Sequence, residues 1–301
     1  MPLRHDPRRG VLLMLAACGL FAGMSVAVKH LSGQIHFIEM MFFRTACAMP
    51  VALLIMMRTQ RGGGGIVGAL RTRRFPGHAL RATTGTLAMG CSFFALGLLP
   101  LAEHQALTNA TPLFVTLLSI PVLGEKVGPW RLGAVLVGFA GMLVIAVGQG
   151  AFSGGLPEAA QIGLVVALMH GVFSAGTTLM VRSLSATEAS TTIVMWQSLL
   201  MSGALALALP FVWVTPTAAQ FGLLVLIGVI GAVGQVLLTE AWASAQVSSV
   251  APFSYSSLLW AVLLGWLAFG EVPSFWTVTG ALIIVAAGLF ILHRELQRRR
   301  P

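Results

Sequence analysis

The side chains of this 301-residue chain that could do chemistry are suited to holding a small molecule rather than breaking one. There is no His-Glu-x-x-His, no Cys-x-x-Cys, no Gly-x-Ser-x-Gly and no Walker lysine, and the single aspartate, Asp6, excludes an aspartyl dyad. What the chain offers is isolated polar groups inside long apolar runs: Thr108, Asn109 and Thr111; Ser254, Tyr255 and Ser257; His170; Trp196 with Gln197; and Gln235 with Thr239 one helical turn on. Polar groups are costly in an apolar medium and belong where they face a cavity or a partner. Amide, hydroxyl and imidazole groups beside the Trp260 ring would suit an amphiphilic metabolite with a planar part. For serines and threonines the competing explanation is a bond to the backbone of their own or a neighbouring helix. For His170 it is a neutral ring donating to a nearby carbonyl; the functional alternative is a cavity ligand or proton acceptor.

The apolar runs dominate the chain. Hydrophobic residues make up 57% and charged residues only 9%, with a mean hydropathy of +0.89, whereas a soluble domain carries roughly 25% charged residues. An all-α integral membrane protein follows. At about 20 apolar residues per span, the runs at 11–30, 35–57, 79–99, 103–123, 131–149, 160–181, 190–213, 218–241, 247–269 and 275–292 give ten transmembrane helices. The break at 58–78, with Gly62 to Gly65 among arginines, reads as a solvated loop. Gly63, Gly65 and Gly68 fit Gly-x-Gly-x-x-Gly, but without a preceding strand they do not indicate nucleotide binding. Leu15 to Cys18 resembles a lipoprotein cleavage box, yet apolar sequence continues to Val28, so an uncleaved first helix is expected.

The basic residues are asymmetric. With the N-terminus inside, Arg4, Arg8, Arg9, Arg58, Arg61, Arg71, Arg73, Arg74, Arg81, Lys126, Arg131, Arg182, Arg294, Arg298, Arg299 and Arg300 all fall on the cytoplasmic side; only Lys29 falls outside. Basic loops resist translocation, so both termini are expected inside. The net charge of +9 then faces anionic membrane lipids, and no nucleic-acid partner is implied. Arg44 lies within the second span, five residues from Glu39, and the two are expected to neutralise each other or partners at the outer interface. His36 and Glu39 make too small a ligand set for a metal. Cys18, Cys47 and Cys91 lie inside spans without a pairing pattern, and no cofactor is indicated.

The chain repeats itself. VLGEKVGPW (Val122 to Trp130) matches AFGEVPSFW (Ala268 to Trp276), with Glu125 and Glu271 146 residues apart, as are Trp130 and Trp276. Gly133 and Gly141 match Gly280 and Gly288; GLFAG (Gly19 to Gly23) matches GVFSA (Gly171 to Ala175); KHLS (Lys29 to Ser32) matches RSLS (Arg182 to Ser185). The small-residue faces permit close helix packing. Two repeats, 10–149 and 158–293, each of five helices, must cross the membrane in opposite senses because five is odd. The same offset pairs Thr108 with Ser254, Asn109 with Tyr255, Thr111 with Ser257 and Phe114 with Trp260.

Ten spans, a short Gly-Glu loop after the fourth span of each half and glycine-spaced fifth and tenth helices resemble the EamA-domain members of the drug/metabolite transporter superfamily over about residues 10 to 292. The resemblance implies a secondary transporter in the cytoplasmic (inner) membrane, a monomer or homodimer, moving a small organic metabolite by alternating access. Related families differ in cargo, so fold analogy leaves the substrate open. Small multidrug transporters of the superfamily carry an acid in their first helix, and this first span has none. The expected cargo is therefore neutral, zwitterionic or weakly anionic, amino-acid or vitamin-like, held by Asn109, Tyr255, His170, Gln235, Trp260, Thr108 and Ser254. Export of drugs or other toxic compounds is the alternative cargo class; a membrane-embedded enzyme and a non-transporting accessory subunit are the alternatives of other classes.

Overall fold

The computed structural model describes residues 6–59, 72–124, 127–148, 150, 157–188, 190–244 and 247–298, and these are helices and short connections. Arg4, Arg61, Gly62 to Gly65, Arg71, Glu125, Lys126, Arg299 and Arg300 lie outside the described residues. The helices are α1 (Pro7–Leu31), α2 (Phe37–Thr59), α3 (Phe75–Leu98), α4 (Leu101–Thr108), α5 (Thr111–Leu123), α6 (Pro129–Gly148), α7 (Glu158–Leu184), α8 (Ser190–Val212), α9 (Ala218–Ser244), α10 (Val247–Val250), α11 (Ser256–Phe269) and α12 (Phe275–Arg298), with a 3-10 turn at Ala251–Tyr255. Asp6 caps α1 by accepting from Arg9 N at 3.1 Å, and Pro7, which has no N–H to satisfy, opens its first turn.

Among the described residues, eight stretches are long and apolar enough to cross a membrane. They comprise α1, α6, α7, α8, α9, α12 and the two composite runs Leu101–Leu123 and Ala251–Phe269. Helices α2 and α3, of 23 and 24 residues, complete the long helices and stand outside that set.

The runs expected as continuous fourth and ninth helices are both interrupted, at Asn109–Ala110 and through the turn ending at Tyr255. Pro112 and Pro252 explain the breaks: each removes a backbone donor and disfavours helical geometry in the residue before it. Both runs end alike. Gly124 and Gly270 each take a φ of +67°, where glycine carries no Cβ penalty. Their N–H groups return to Ile120 O at 3.0 Å and Trp266 O at 2.9 Å, carbonyls themselves 146 residues apart.

The principal helix contacts come in matched sets. Helix α1 packs on α9 as α3 packs on α7; α2 meets α9 as α8 meets α3; α5 lies on α7 as α11 lies on α1. The pairs α2–α8 and α6–α12 are their own counterparts. A pseudo-two-fold relation between the halves produces this pattern. In apolar surroundings helix association depends on close packing of small residues, and the glycines supply it. A Cβ added at Gly280 would stand 2.5 Å from Gly141 O, one at Gly171 2.5 Å from the Phe114 ring, and one at Gly19 3.2 Å from the Trp260 ring. The outward face is apolar: Phe211 is 87% exposed, with Leu207 and Leu259 close behind, a surface suited to lipid rather than water.

Helix ends are tied by polar contacts. At one end Lys29 pairs with Glu271 and also donates to Leu99 O at 2.7 Å, while Glu271 accepts from Leu101 N at 2.8 Å. Nearby, Thr277 donates to Glu103 at 2.9 Å and Gln220 to Gln34 at 3.0 Å. At the other end Arg9 pairs with Glu240 at 3.0 Å, Arg74 donates to Ser183 O at 2.9 Å, and Thr72 to Glu188 at 2.8 Å.

Candidate functional site

Both halves contribute to a cavity of about 260 Å³ at mid-depth of the bundle. From the first half come Met24 of α1, Arg44 of α2 and a stripe of α3 running from Gly85 through Ala88, Met89 and Ser92 to Phe93. From the second come His170, Ser174 and Thr177 on one face of α7, at helical spacings of four and three, and Gln197 of α8. The volume lies just below the usual range of small-molecule sites, about 300–1,000 Å³. No aspartate or glutamate is among the lining residues.

His170 donates from Nδ1 to Ala88 O at 2.8 Å, which fixes the ring and leaves Nε2 as the acceptor nitrogen of the neutral form. Ser92 Oγ pairs with His104 Nε2 at 3.0 Å, and Thr177 donates to Thr84 Oγ1 at 3.0 Å, so these hydroxyls are held by α4 and α3 respectively. Gln197 turns its amide nitrogen toward Met201 Sδ at 3.4 Å.

Arg44 departs from the expectation placed on it. It does not neutralise Glu39: the Glu39 carboxylate accepts from Val214 N at 3.1 Å, at the end of α8. The reason is helical geometry, since residues five apart on an α-helix point about 140° away from each other. The guanidinium instead enters the cavity wall, where its one hydrogen-bond contact among the described residues is Met89 Sδ at 3.7 Å and its buried Nε meets none of them as a partner.

The other residues expected at a site fall into separate surroundings. Asn109 and Thr108 sit at the break between α4 and α5: Gln105 donates to Asn109 Oδ1 at 3.2 Å and to Ser257 Oγ at 3.2 Å, and Asn109 Nδ2 approaches Ser257 Oγ at 3.3 Å. This junction joins the two interrupted runs. Thr108 Oγ1 returns to Gln105 O and Ser254 Oγ to Ala251 O, the local backbone bonding weighed for such hydroxyls. The Tyr255 hydroxyl lies against Gly288, where a Cβ would meet it. Trp260 packs over Gly19 beside the Met14 and Cys18 cluster. Gln235 is exposed on α9, its carbonyl accepting from Thr239 at 2.8 Å. The structure thus brings His170 and Gln197 to the cavity and adds Arg44 and Ser92, which sequence reasoning did not place there.

The same architecture occurs in known proteins. A model of the EamA-like transporter family matches residues 8–147 and again residues 161–293. The chain is 32% identical over 287 residues to the pseudopaline exporter CntI of Pseudomonas aeruginosa, covering 93% of this chain and 94% of that protein. It is 33% identical over 308 residues to a riboflavin transporter of Vibrio cholerae, covering 100% and 98%. A solved crystal structure shares the fold with a TM-score of 0.65 at 19% identity, over 98% of this chain and 100% of that one. With two copies of the family unit spanning nearly its whole length, this chain belongs to the EamA-like transporter family and is a multi-pass membrane transporter, not an enzyme.

Proposed function

We propose that this protein is a secondary transporter that moves a small neutral, zwitterionic or weakly anionic organic metabolite across the cytoplasmic membrane by alternating access. The observation that carries the reading is the mid-depth cavity, walled by both repeats, lined by amide, hydroxyl, imidazole and guanidinium groups and free of carboxylates. Exchange of a lipophilic cation for protons needs an acid that the two can share, and the lining provides none. The relatives named for riboflavin and pseudopaline support a metabolite as cargo. Within this reading His170 touches the cargo, while Asn109, Thr108, Ser254 and Tyr255 belong to the interrupted runs bordering its path.

Ten crossings with both termini inside complete the reading. The cross-helix ties support it: Lys29 with Glu271, Glu103 with Thr277, Gln34 with Gln220, Arg9 with Glu240 and Thr72 with Glu188 each join ends that ten alternating crossings put on one side. Purified protein in liposomes, given labelled amino acids and riboflavin in parallel with tetraphenylphosphonium, tests the cargo class. Saturable metabolite uptake is expected; proton-driven antiport of the cation with no metabolite uptake would sink the reading. Single cysteines at positions 64 and 153, outside the described residues, should react with impermeant reagents from opposite sides of the membrane.

A further inference from the structure

We propose that Arg44 is the anchor for a carboxylate on the cargo, so that the transported metabolite is an organic acid or an amino acid recognised through its acid group. This deepens the reading of the cavity as the transport site and rests on it.

Arg44 has no oxygen acceptor among the described residues, in contrast to four other cations. Lys29 has Glu271, Arg9 has Glu240, and Arg74 and Arg81 donate to the carbonyls of Ser183 and Ile193. Arg44 takes part in no ion pair among the described residues, its contact with the Met89 thioether is weak, and its Nε is buried without a partner. The nearest acid on its own helix, Glu39, is engaged at Val214 N. A lone charge at this depth is costly and is kept where it meets a substrate or a counter-ion.

The surroundings leave the guanidinium room and a shape to recognise. Gly231 of α9 lies against it, where an added Cβ would stand 3.3 Å from Arg44 Cγ and 3.2 Å from Met24 Sδ. Met24, Met89 and Phe93 give an apolar wall, while Ser174 and Gln197 supply polar groups from the opposite repeat. A planar guanidinium grips a carboxylate through two parallel N–H bonds. One guanidinium balances one carboxylate charge, whereas a phosphate monoester would bring a second negative charge into a wall that holds no second arginine or lysine.

The test uses matched probes on the purified full-length protein: nicotinate and nicotinamide, pantothenate and panthenol, L-phenylalanine and L-phenylalaninamide, with phenyl phosphate as the phosphate arm. Binding is read by thermal stabilisation and titration calorimetry, and the bound probes are then followed in liposomes. Charge-assisted hydrogen bonds predict that the acid of at least one pair binds about tenfold or more tightly than its partner without the carboxylate. Arg44→Gln should abolish that preference and Arg44→Lys should keep part of it, the lysine variant also controlling for loss of fold. No acid preference in the wild type, a preference that survives in Arg44→Gln, or tighter binding of phenyl phosphate than of every acid would overturn the proposal. An acid that binds through Arg44 but is not carried across the bilayer would uphold the anchor and overturn the transport reading.

Discussion

Replacing Glu271 by glutamine isolates the charge in the tie between α1, the α3–α4 junction and the α11–α12 turn. The amide can still accept from Leu101 N, and Lys29 keeps Leu99 O at 2.7 Å, so the packing survives while the ion pair is lost. The partners are 16% and 23% exposed, between a surface pair worth about 0–1 kcal/mol and a buried pair whose breaking costs about 3–5 kcal/mol. A value of about 2 kcal/mol is appropriate. On the topology proposed above the tie lies at the outer end; if it holds that end shut, its loss shifts the balance toward outward opening by about 30-fold. A cysteine at Ser174, in the cavity wall and in a cysteine-free background, reports this through its alkylation rate with an impermeant maleimide added outside. Glu271→Gln should raise that rate by about one order of magnitude or more, and Lys29→Met should add little to it because the two act as one unit. A rate within twofold of the parent, in protein that is folded and inserted, would refute the assignment of this tie as an outer gate.

Three further outcomes follow from the packing and the site. Gly280→Ala should lower the melting temperature in detergent, at an overpacking cost of about 1–3 kcal/mol, because its methyl would meet Gly141 O; Gly133→Ala, at the repeat-related position with nothing within 4 Å, should be neutral or slightly stabilising. His170→Gln, whose amide can still donate to Ala88 O, should leave the fold intact and flatten the pH dependence of uptake; an unchanged pH profile would return His170 to a packing role. Asn109→Ala, which removes the link to Gln105 and Ser257, should raise the apparent transport constant about fivefold, equivalent to about 1 kcal/mol, and wild-type kinetics would remove this junction from the transport path.

Much of the architecture was legible because it rests on periodic and repeated features. The 146-residue offset identified the two Gly-Glu turns, and Gly124 and Gly270 adopt the same left-handed geometry. The matched Gly19 and Gly171 meet the matched aromatics Trp260 and Phe114. The helix breaks beside Asn109 and Tyr255 were hidden because hydropathy does not register backbone hydrogen bonds; only Pro112 and Pro252 signal them. The cavity was less legible still, since His170, Arg44 and Gln197 come to it from three helices distant in sequence. Proximity in sequence suggested Glu39 as the partner of Arg44, and the pitch of the helix carries it elsewhere.

The interleaving of the halves bears on how the chain is made. Helix α1 finds its main partner in α9, and α3 finds its own in α7, so these first-half helices leave the ribosome before their principal partners. Ala218 follows Leu31 by 187 residues, which at about 5–20 residues per second is roughly 10–40 s of synthesis. Throughout that interval α1, and the Arg44-bearing face that will later adjoin Gly231 of α9, must be sheltered by lipid or by the insertion machinery. Closure of the bundle therefore waits for the second half, and nascent chains stalled before α9 should be the species that quality-control proteases recognise.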